Sequence, residues 1–169
     1  MITLEILLLV LLSYLTGATP SAVWIGKIFY NTDVREYGSG NAGATNTFRV
    51  LGIRAGIPVL ILDILKGSLA VLYIYLIPDL SSFSLELVFE HKLAFGISAV
   101  VGHLFPVYTG FRGGKGIATM LGVLIALHPL AAFFSFCIFL FVFFISRYVS
   151  LASIVASIAF PFFIMFVLN

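Results

Sequence analysis

The chain has 169 residues, of which 62% are hydrophobic and only 9% are charged, and its formal net charge is +2. So few charged side chains cannot cover a water-facing surface, which excludes a soluble domain and predicts an all-α integral membrane protein. At about 20 residues per span, the length allows roughly six or seven transmembrane helices and no separate soluble domain. Cys137 is the single cysteine, so a disulfide framework and a cysteine-rich metal site are also excluded.

Hydropathy predicts six transmembrane helices in one polytopic membrane domain, residues 1–169. The predicted helices cover residues 2–25, 55–77, 87–105, 117–128, 131–145 and 149–168. The apolar stretch from residue 117 to residue 145 is too long for one upright helix, and Pro129 near its middle favours a hairpin of two short helices.

The placement of basic residues predicts the orientation in the membrane. An outward N-terminus puts seven of them on the cytoplasmic side, as the positive-inside rule requires. They are Lys27, Arg35, Arg49, Arg54, Arg112, Lys115 and Arg147. Lys92 then lies outside, near the acidic residues Asp79, Glu86 and Glu90. The two glycine-rich segments of the chain consequently share the cytoplasmic face.

The first of these segments, residues 38–52, reads GSGNAGATNTFRVLG and is called the first loop here. A capped connection between helices would also use serine, asparagine and threonine. The first loop holds more of them than a turn needs, and in a helical turn Thr45 and Asn46 would share a face with Arg49. We therefore predict a substrate site here, formed by Ser39, Asn41, Thr45, Asn46 and Arg49.

The second loop, residues 102–119, reads GHLFPVYTGFRGGKGIAT. Glycines permit positive φ angles and let several N–H groups approach one anion, while Arg112 and Lys115 supply positive charge. Positive-inside anchoring alone needs no such backbone freedom, so the pattern predicts phosphate binding at the membrane surface. It is not a Walker A loop, because Gly116 stands where Ser or Thr is required. The predicted ligands are Arg112, Gly113, Gly114, Lys115 and Gly116.

Several other polar residues have two interpretations. Asp63 and Lys66 lie three apart on one predicted helix and are interpreted as a structural ion pair, although charges inside a membrane are also functional candidates. His103 is either a general base or an interfacial histidine bonded to a carbonyl. Ser150 and Ser153 are candidate ligand contacts beside Arg147, but small-residue helix packing also explains their spacing.

Two other functional classes fit the chain less well. A phosphate or anion transporter would place its charged site near the bilayer midplane, whereas both loops lie on one side. A metal-dependent phosphotransferase would need clustered carboxylates, but Asp33, Asp63 and Asp79 are scattered. We expect neither a metal nor a nucleic-acid partner.

Three segments together resemble a known family. The run GSGNAGATN followed by Arg49, the second loop, and RYVSLASI at residues 147–154 are similar to the acyl-phosphate-dependent glycerol-3-phosphate acyltransferases of bacteria, the PlsY family. The resemblance extends over nearly the whole chain, including residues 63–67. It implies transfer of a fatty acyl group from acyl-phosphate to the 1-hydroxyl of glycerol 3-phosphate, which gives lysophosphatidic acid and phosphate for phospholipid biosynthesis.

The resemblance also implies a location and partners. It implies a multi-pass protein of the bacterial inner membrane whose active site faces the cytoplasm, in contact with membrane lipid. No metal or nucleotide cofactor is expected, and a soluble partner enzyme is expected to make the acyl-phosphate.

The reaction assigns a role to each candidate, because the enzyme has to hold two phosphates, align a hydroxyl and stabilise an oxyanion. A substrate phosphate can accept the proton, with His103 as the alternative. The catalytic candidates are Ser39, Arg49, Lys115 and His103. The substrate-binding candidates are Asn41, Thr45, Asn46, Arg112, Gly113, Gly114, Gly116, Ser150 and Ser153.

The family pattern has seven spans, the last followed by a cytoplasmic segment with a His and an Asn that belong to the active site. Only six spans are predicted before the sequence ends with PFFIMFVLN. The resemblance therefore leads us to expect an incomplete form of a seven-span enzyme, with weak glycerol 3-phosphate binding and poor turnover.

Overall fold

The computed structural model describes residues 4–166, and this part of the chain is helical without any strand. Its α-helices are α1 (Leu4–Gly17), α2 (Ser21–Tyr30), α3 (Ala44–Leu51), α4 (Ile53–Leu72), α5 (Leu85–Leu104), α6 (Ile117–Leu127), α7 (Pro129–Ser146) and α8 (Val149–Phe166). Short 3-10 turns occupy Val34–Glu36, Tyr73–Leu76, Leu80–Ser82 and Val107–Thr109. The all-α prediction is confirmed, and the predicted helix residues 2, 3, 167 and 168 lie outside the described part.

The predicted count of six spans is not confirmed. Among residues 4–166, four helical segments are long and apolar enough to cross a membrane: Ile53–Leu76, Leu85–Thr109, Pro129–Ser146 and Val149–Phe166. A fifth is obtained if α1 and α2, which meet at a bend of 40°, cross as one broken span. Helix α6 has only 11 residues, which is too short to cross the apolar core, since a span needs about 20.

The first predicted helix, residues 2–25, is broken in the structure. Helix α1 ends before Pro20 and α2 begins after it. Proline has no backbone N–H and disfavours the helical conformation of the residue before it, Thr19, so the hydrogen-bond ladder is interrupted here. The N–H of Ser21 instead donates to the carbonyl of Thr19 at 3.1 Å. Hydropathy alone could not reveal this break, because the residues on both sides are apolar.

The predicted break near residue 129 is confirmed. Helix α6 ends at Leu127, and Pro129 occupies the first turn of α7, where its missing N–H costs no helical hydrogen bond. The imidazole of His128 caps α7 by accepting a hydrogen bond from the N–H of Ala131 at 3.4 Å. A helix boundary at this position follows directly from these local contacts.

The described residues form two compact units, residues 4–123 and residues 124–166. In the first unit α1 packs on α5, α3 packs on α4, and α4 also contacts α1, α2 and α5. In the second unit α7 packs along α8, with the rings of Phe134 and Phe163 stacked at 5.4 Å. The expectation of one membrane domain over residues 1–169 stays a prediction.

Glycines bring helix backbones into direct contact within the first unit. A Cβ atom at Gly67 of α4 would collide with the carbonyl of Thr119 in α6. The hydroxyl of Ser68 donates to the carbonyl of Gly122 across the same interface at 2.8 Å. Without water to drive association, such close approach supplies the packing and hydrogen bonds that hold membrane helices together.

We expect Gly67→Ala to destabilise the protein by about 1–3 kcal/mol, because the added methyl group overpacks the α4–α6 interface. Thermal unfolding in detergent measures the effect. Leu69→Ala is the matched control, because Leu69 is on the same helix and is exposed. A Gly67→Ala variant that unfolds at the wild-type temperature would contradict this packing model.

Candidate active site

The first loop contains a helix, α3, which is the condition for Thr45 and Arg49 to share a face. Helix α3 carries Thr45 and Arg49 four residues apart, and both side chains are exposed. Residues at this spacing are neighbours on one helix face. A cation and a hydroxyl are thus presented together on the accessible side of α3.

Asn46, the neighbour of Thr45, has a different environment. Its side chain is buried, and Nδ2 donates to the carbonyls of Val34 at 2.8 Å and Tyr37 at 3.1 Å. Its Oδ1 accepts a hydrogen bond from the N–H of Ser39 at 2.9 Å. Asn46 therefore fixes the turn at Ser39 to the preceding segment, residues 34–37. Its predicted contact with substrate stays a prediction.

The turn around Ser39 depends on its two flanking glycines. Gly38 and Gly40 have φ angles of 63° and 69°, in the left-handed region that favours glycine. A Cβ at Gly38 would also collide with the amide oxygen of Asn46. Ser39 is consequently exposed at the tip of a tight turn, while Asn41 is half-buried.

The second loop uses its glycines for close backbone contact. A Cβ at Gly113 would strike the carbonyl of His103, and a Cβ at Gly114 would strike the imidazole of the same residue. The N–H of Gly114 donates to the His103 carbonyl at 3.2 Å. Gly116 has a φ of 76°, so it also needs the freedom predicted from the sequence. Arg112 and Lys115 are exposed.

The two loops are joined by Arg35, which lies just before the first loop. Its Nη1 donates to the carbonyl of Thr109 in the second loop at 3.0 Å. Its Nε and Nη2 donate to the two carboxylate oxygens of Asp33 at 3.0 Å and 2.7 Å. The carbonyl of Ala42 in the first loop also faces Gly114 in the second. The loops are therefore neighbours within the first unit.

Asp33 and Arg35 keep their charges at neutral pH. The hydrogen bond from the Arg35 side chain holds the pKa of Asp33 well below its usual range, although partial burial opposes the shift. The same hydrogen bond raises the pKa of Arg35. Lys27 adds a second cation 3.2 Å from Asp33. Together these contacts fix the guanidinium of Arg35 on the carboxylate.

A cluster of buried polar side chains lies at the break between α1 and α2. Asp63 and Lys66 form the predicted ion pair at 2.9 Å. Lys66 Nζ also donates to the carbonyl of Thr19 at 2.9 Å, and the hydroxyl of Ser21 donates to Asp63 at 3.0 Å. His103 Nδ1 lies 3.7 Å from Asp63, which is too far for a hydrogen bond.

A cavity of about 10 Å³ lies between this cluster and the loops. Its walls include Thr19 and Pro20 of the break, Ala42 of the first loop, Lys66, His103 and Gly114. A space of this size holds about one water molecule at most, so it is not a substrate pocket. Arg49 and Lys115, the cations predicted to bind phosphate, lie on the exposed surface instead; their role stays a prediction.

Ser150 and Ser153 lie on α8 in the second unit. Ser150 is exposed, and the hydroxyl of Ser153 donates to the carbonyl of Val149 at 2.8 Å. Their predicted contact with substrate stays a prediction. Within residues 4–166, no group of three or more His, Cys, Asp or Glu side chains could hold a metal ion.

Sequence reasoning overlooked three of the residues that organise this site. Ser21 follows the proline that breaks the first span, and a polar residue after Pro20 was an available signal. Asp33 and Arg35 form a short acidic-x-basic pattern immediately before the first loop. The pattern suggests a local ion pair, but nothing in it points to Thr109, 74 residues away.

A family model described as glycerol-3-phosphate acyltransferase matches residues 7–169. The chain belongs to the glycerol-3-phosphate acyltransferase family. It is 48% identical over 157 residues to a glycerol-3-phosphate acyltransferase of Listeria welshimeri, covering 93% of this chain and 76% of that protein. It is 46% identical to one of Enterococcus faecalis over 155 residues, with 92% and 68% of the two chains covered. The resemblance drawn from the loop motifs is confirmed.

Solved structures show the same architecture. Two crystal structures of PlsY (YgiH), an integral membrane glycerol 3-phosphate acyltransferase, superpose on this chain with a TM-score of 0.78 each. One is the glycerol 3-phosphate form and the other is the lysophosphatidic acid form. Both are 41% identical to this chain, and each superposition covers 94% of it. The first covers 75% of the PlsY chain and the second 76%. The protein is accordingly a bacterial integral membrane protein.

The buried ion pair predicts a specific pattern of stability. We expect Asp63→Asn and Lys66→Met each to destabilise the protein by about 3–5 kcal/mol, because each leaves one buried charge without its partner. The double variant should lose much less than the sum of the two. Denaturant unfolding in detergent measures all three.

Arg54→Met provides the control, since it removes an exposed cation from the same helix, α4. Additive losses in the double variant would show that Asp63 and Lys66 do not stabilise each other.

Proposed function

We propose that this protein transfers a fatty acyl group from acyl-phosphate to the 1-hydroxyl of glycerol 3-phosphate, forming lysophosphatidic acid and phosphate in phospholipid biosynthesis. Membership of the family supports the acceptor and the acyl transfer. The observation that carries the proposal is the meeting of two glycine-rich loops through Arg35 and Thr109, each loop presenting an exposed cation, Arg49 or Lys115.

Two anionic substrates suit these two loops. In the first loop the exposed Ser39, Thr45 and Arg49 supply hydroxyls and a positive charge for one phosphate. In the second, the side chain of Lys115 and the N–H groups of Gly113, Lys115 and Gly116 supply the same chemistry, whereas the N–H of Gly114 already donates to the His103 carbonyl. The PlsY crystal structure in its glycerol 3-phosphate form is that of a relative at 41% identity, which supports a phosphate-bearing acceptor. Arg112, Asn41 and Asn46 are proposed as further contacts.

The reaction needs positioning more than strong acid or base catalysis. Acyl-phosphate is a mixed anhydride, so attack by the 1-hydroxyl oxygen forms the new ester bond while the bond from the acyl carbon to the phosphate oxygen breaks. Lys115 and neighbouring N–H groups stabilise the oxyanion that develops on the acyl carbonyl. Holding both substrates in contact supplies much of the remaining rate enhancement.

The proton of the attacking hydroxyl passes to the departing phosphate in this proposal. His103 is the other candidate, but its imidazole is buried behind Gly114. A hydroxyl on the exposed side of the loops would therefore reach it only through the small cavity. The phosphate needs no such path, because it leaves from the reacting carbon itself.

The choice of acyl-phosphate over acyl-CoA rests on the sequence. No histidine in the chain is followed five residues later by an aspartate, as in the acyl-CoA glycerophosphate acyltransferases. An acyl-phosphate donor does not require that dyad, because its departing phosphate can take the proton of the attacking hydroxyl. The donor would come from a soluble enzyme that makes acyl-phosphate, and its chain would lie among membrane lipid and the phenylalanine-rich helices.

The cytoplasmic orientation of the site and a single membrane domain are also proposed. The basic residues at both loops support the orientation through the positive-inside rule. Ser150 and Ser153 are proposed contacts from the cytoplasmic end of α8. A phosphate transporter is not favoured, because a transporter places its charged site near the midplane of the bilayer. No metal or nucleotide is required by the proposed chemistry.

We expect Arg49→Ala and Lys115→Ala each to lower acyl transfer by about 10²- to 10³-fold, because each removes a strong donor to developing negative charge. The assay uses purified protein, glycerol 3-phosphate and either acyl-phosphate or acyl-CoA. The wild-type protein should use acyl-phosphate alone. Product is measured as lysophosphatidic acid.

Arg54→Ala, which removes an exposed arginine close to the first loop, should keep near wild-type activity. The proposed roles of Arg49 and Lys115 fail if their variants match this control. Transfer from acyl-CoA at the same rate would refute the proposed donor.

A further inference from the structure

We propose that Arg35 is a positioning residue that ties the second loop to the first and thereby fixes the separation of the two substrate phosphates. The inference rests on the proposed two-phosphate reaction. Arg35 does not belong to either glycine-rich motif, and its role becomes visible only from its contact with Thr109.

Arg35 is held rigidly on its own side of this contact. Asp33 accepts hydrogen bonds from the backbone N–H of Arg35 at 3.0 Å and from two nitrogens of its guanidinium. A planar guanidinium on a carboxylate has a fixed geometry, unlike a flexible ammonium group. The third nitrogen, Nη1, then points to the carbonyl of Thr109. The side chain is only 16% exposed.

The Arg35 segment is in turn fixed to the first loop. Asn46 of α3 donates hydrogen bonds to the carbonyls of Val34 and Tyr37, on either side of Arg35 in the chain. The same amide accepts from the N–H of Ser39. These bonds reach backbone atoms and do not involve the Arg35 side chain, so they hold the first loop in place when that side chain is replaced.

On the other side, Thr109 lies where the second loop turns sharply. Gly110 and Phe111, the next two residues, have φ angles of 66° and 60°. A positive φ is unfavourable for phenylalanine, so the surrounding contacts have to hold it in place. The N–H of Phe111 donates a hydrogen bond to the carbonyl of Pro106 at 2.9 Å. Among residues 4–166, the hydrogen bond from Arg35 to Thr109 is the only one made by a side chain that connects residues 31–52 with residues 105–116.

Arg35 differs from the proposed substrate cations in its burial and in its protein partners. All three guanidinium nitrogens already donate to protein oxygens, whereas Arg49 and Lys115 are exposed. Because the Arg35 side chain is also mostly buried, it acts on substrate through the loops and not by contact. Loop alignment matters because a displacement of about 1 Å in a two-substrate reaction can cost about 10²-fold in rate.

The test separates alignment of two substrates from binding of one. In Arg35→Gln and Arg35→Lys we expect acyl transfer to fall about 10- to 100-fold while the Kd for glycerol 3-phosphate alone changes by no more than about twofold. Calorimetry without donor measures the Kd, and thermal unfolding in detergent checks folding. Arg54→Gln is the control and should change none of the three.

A rescue experiment distinguishes alignment from a merely structural role. Arg35→Cys and Thr109→Cys are combined in a Cys137→Ser background and joined by a short reagent that forms a disulfide with each thiol. Joining should restore transfer at least about tenfold, and reduction should abolish the gain, because restored alignment recovers the rate lost by displacement. The two single cysteine variants, treated alike, should show no recovery.

Each outcome bears on a different claim. Wild-type transfer in Arg35→Gln, or a parallel loss of transfer and of glycerol 3-phosphate binding, would overturn the positioning role. Strong effects of Arg49→Ala and Lys115→Ala beside a normal Arg35→Gln would leave the proposed function standing without it. Failure of the wild-type protein to use acyl-phosphate would overturn both proposals.

Discussion

The structure of the first unit depends on satisfying the polar groups exposed where the first span is broken. Inside a membrane no water is available to pair with free carbonyls, so each has to find a partner in the protein. The carbonyl of Thr19 is paired with Lys66. A buried lysine requires a counter-ion, and Asp63 supplies it while also accepting from Ser21. The two buried charges thus lie beside the break before Pro20, where Lys66 adds a second hydrogen bond to the carbonyl of Thr19.

The same break supports the second loop. Thr19 and Pro20 line the small cavity together with Gly114 and His103. Only glycine allows the loop backbone to lie directly on His103, and this contact holds the backbone at Gly113 and Gly114 in place. In the proposed reaction, a loop held in this way would stabilise a developing anion efficiently. The buried cluster and the exposed loops therefore lie side by side, with paired charges in the interior and the exposed cations Arg49 and Lys115, proposed to bind substrate, at the surface.

Much of this arrangement could be predicted from the sequence because it depends on short-range spacing. The Asp63–Lys66 pair follows from a separation of three on a helix, and the face shared by Thr45 and Arg49 follows from a separation of four. The family resemblance came from the long loop motifs. The predicted number of six spans is not confirmed, because hydropathy passes over the break at Pro20 and does not measure how short α6 is.

Contacts between distant parts of the chain could not be predicted. The sequence around Arg35 does not show that its side chain contacts Thr109. The sequence around Asn46 does not show that Asn46 is buried against Val34 while Thr45 is exposed. Both arise from packing of α3 and the second loop in three dimensions. A separation of three or four predicts which residues share a face, but not which face points to the protein interior.

The most direct test of the two-phosphate site is an experimental structure of the protein with glycerol 3-phosphate and a non-reactive acyl phosphonate bound together. It should show one phosphate on Arg49 and the α3 face. The phosphonate should lie on the Lys115 side chain and the N–H groups of Gly113, Lys115 and Gly116. The acyl carbonyl should lie within reach of the 1-hydroxyl. Either anion bound away from these loops would contradict the proposed site.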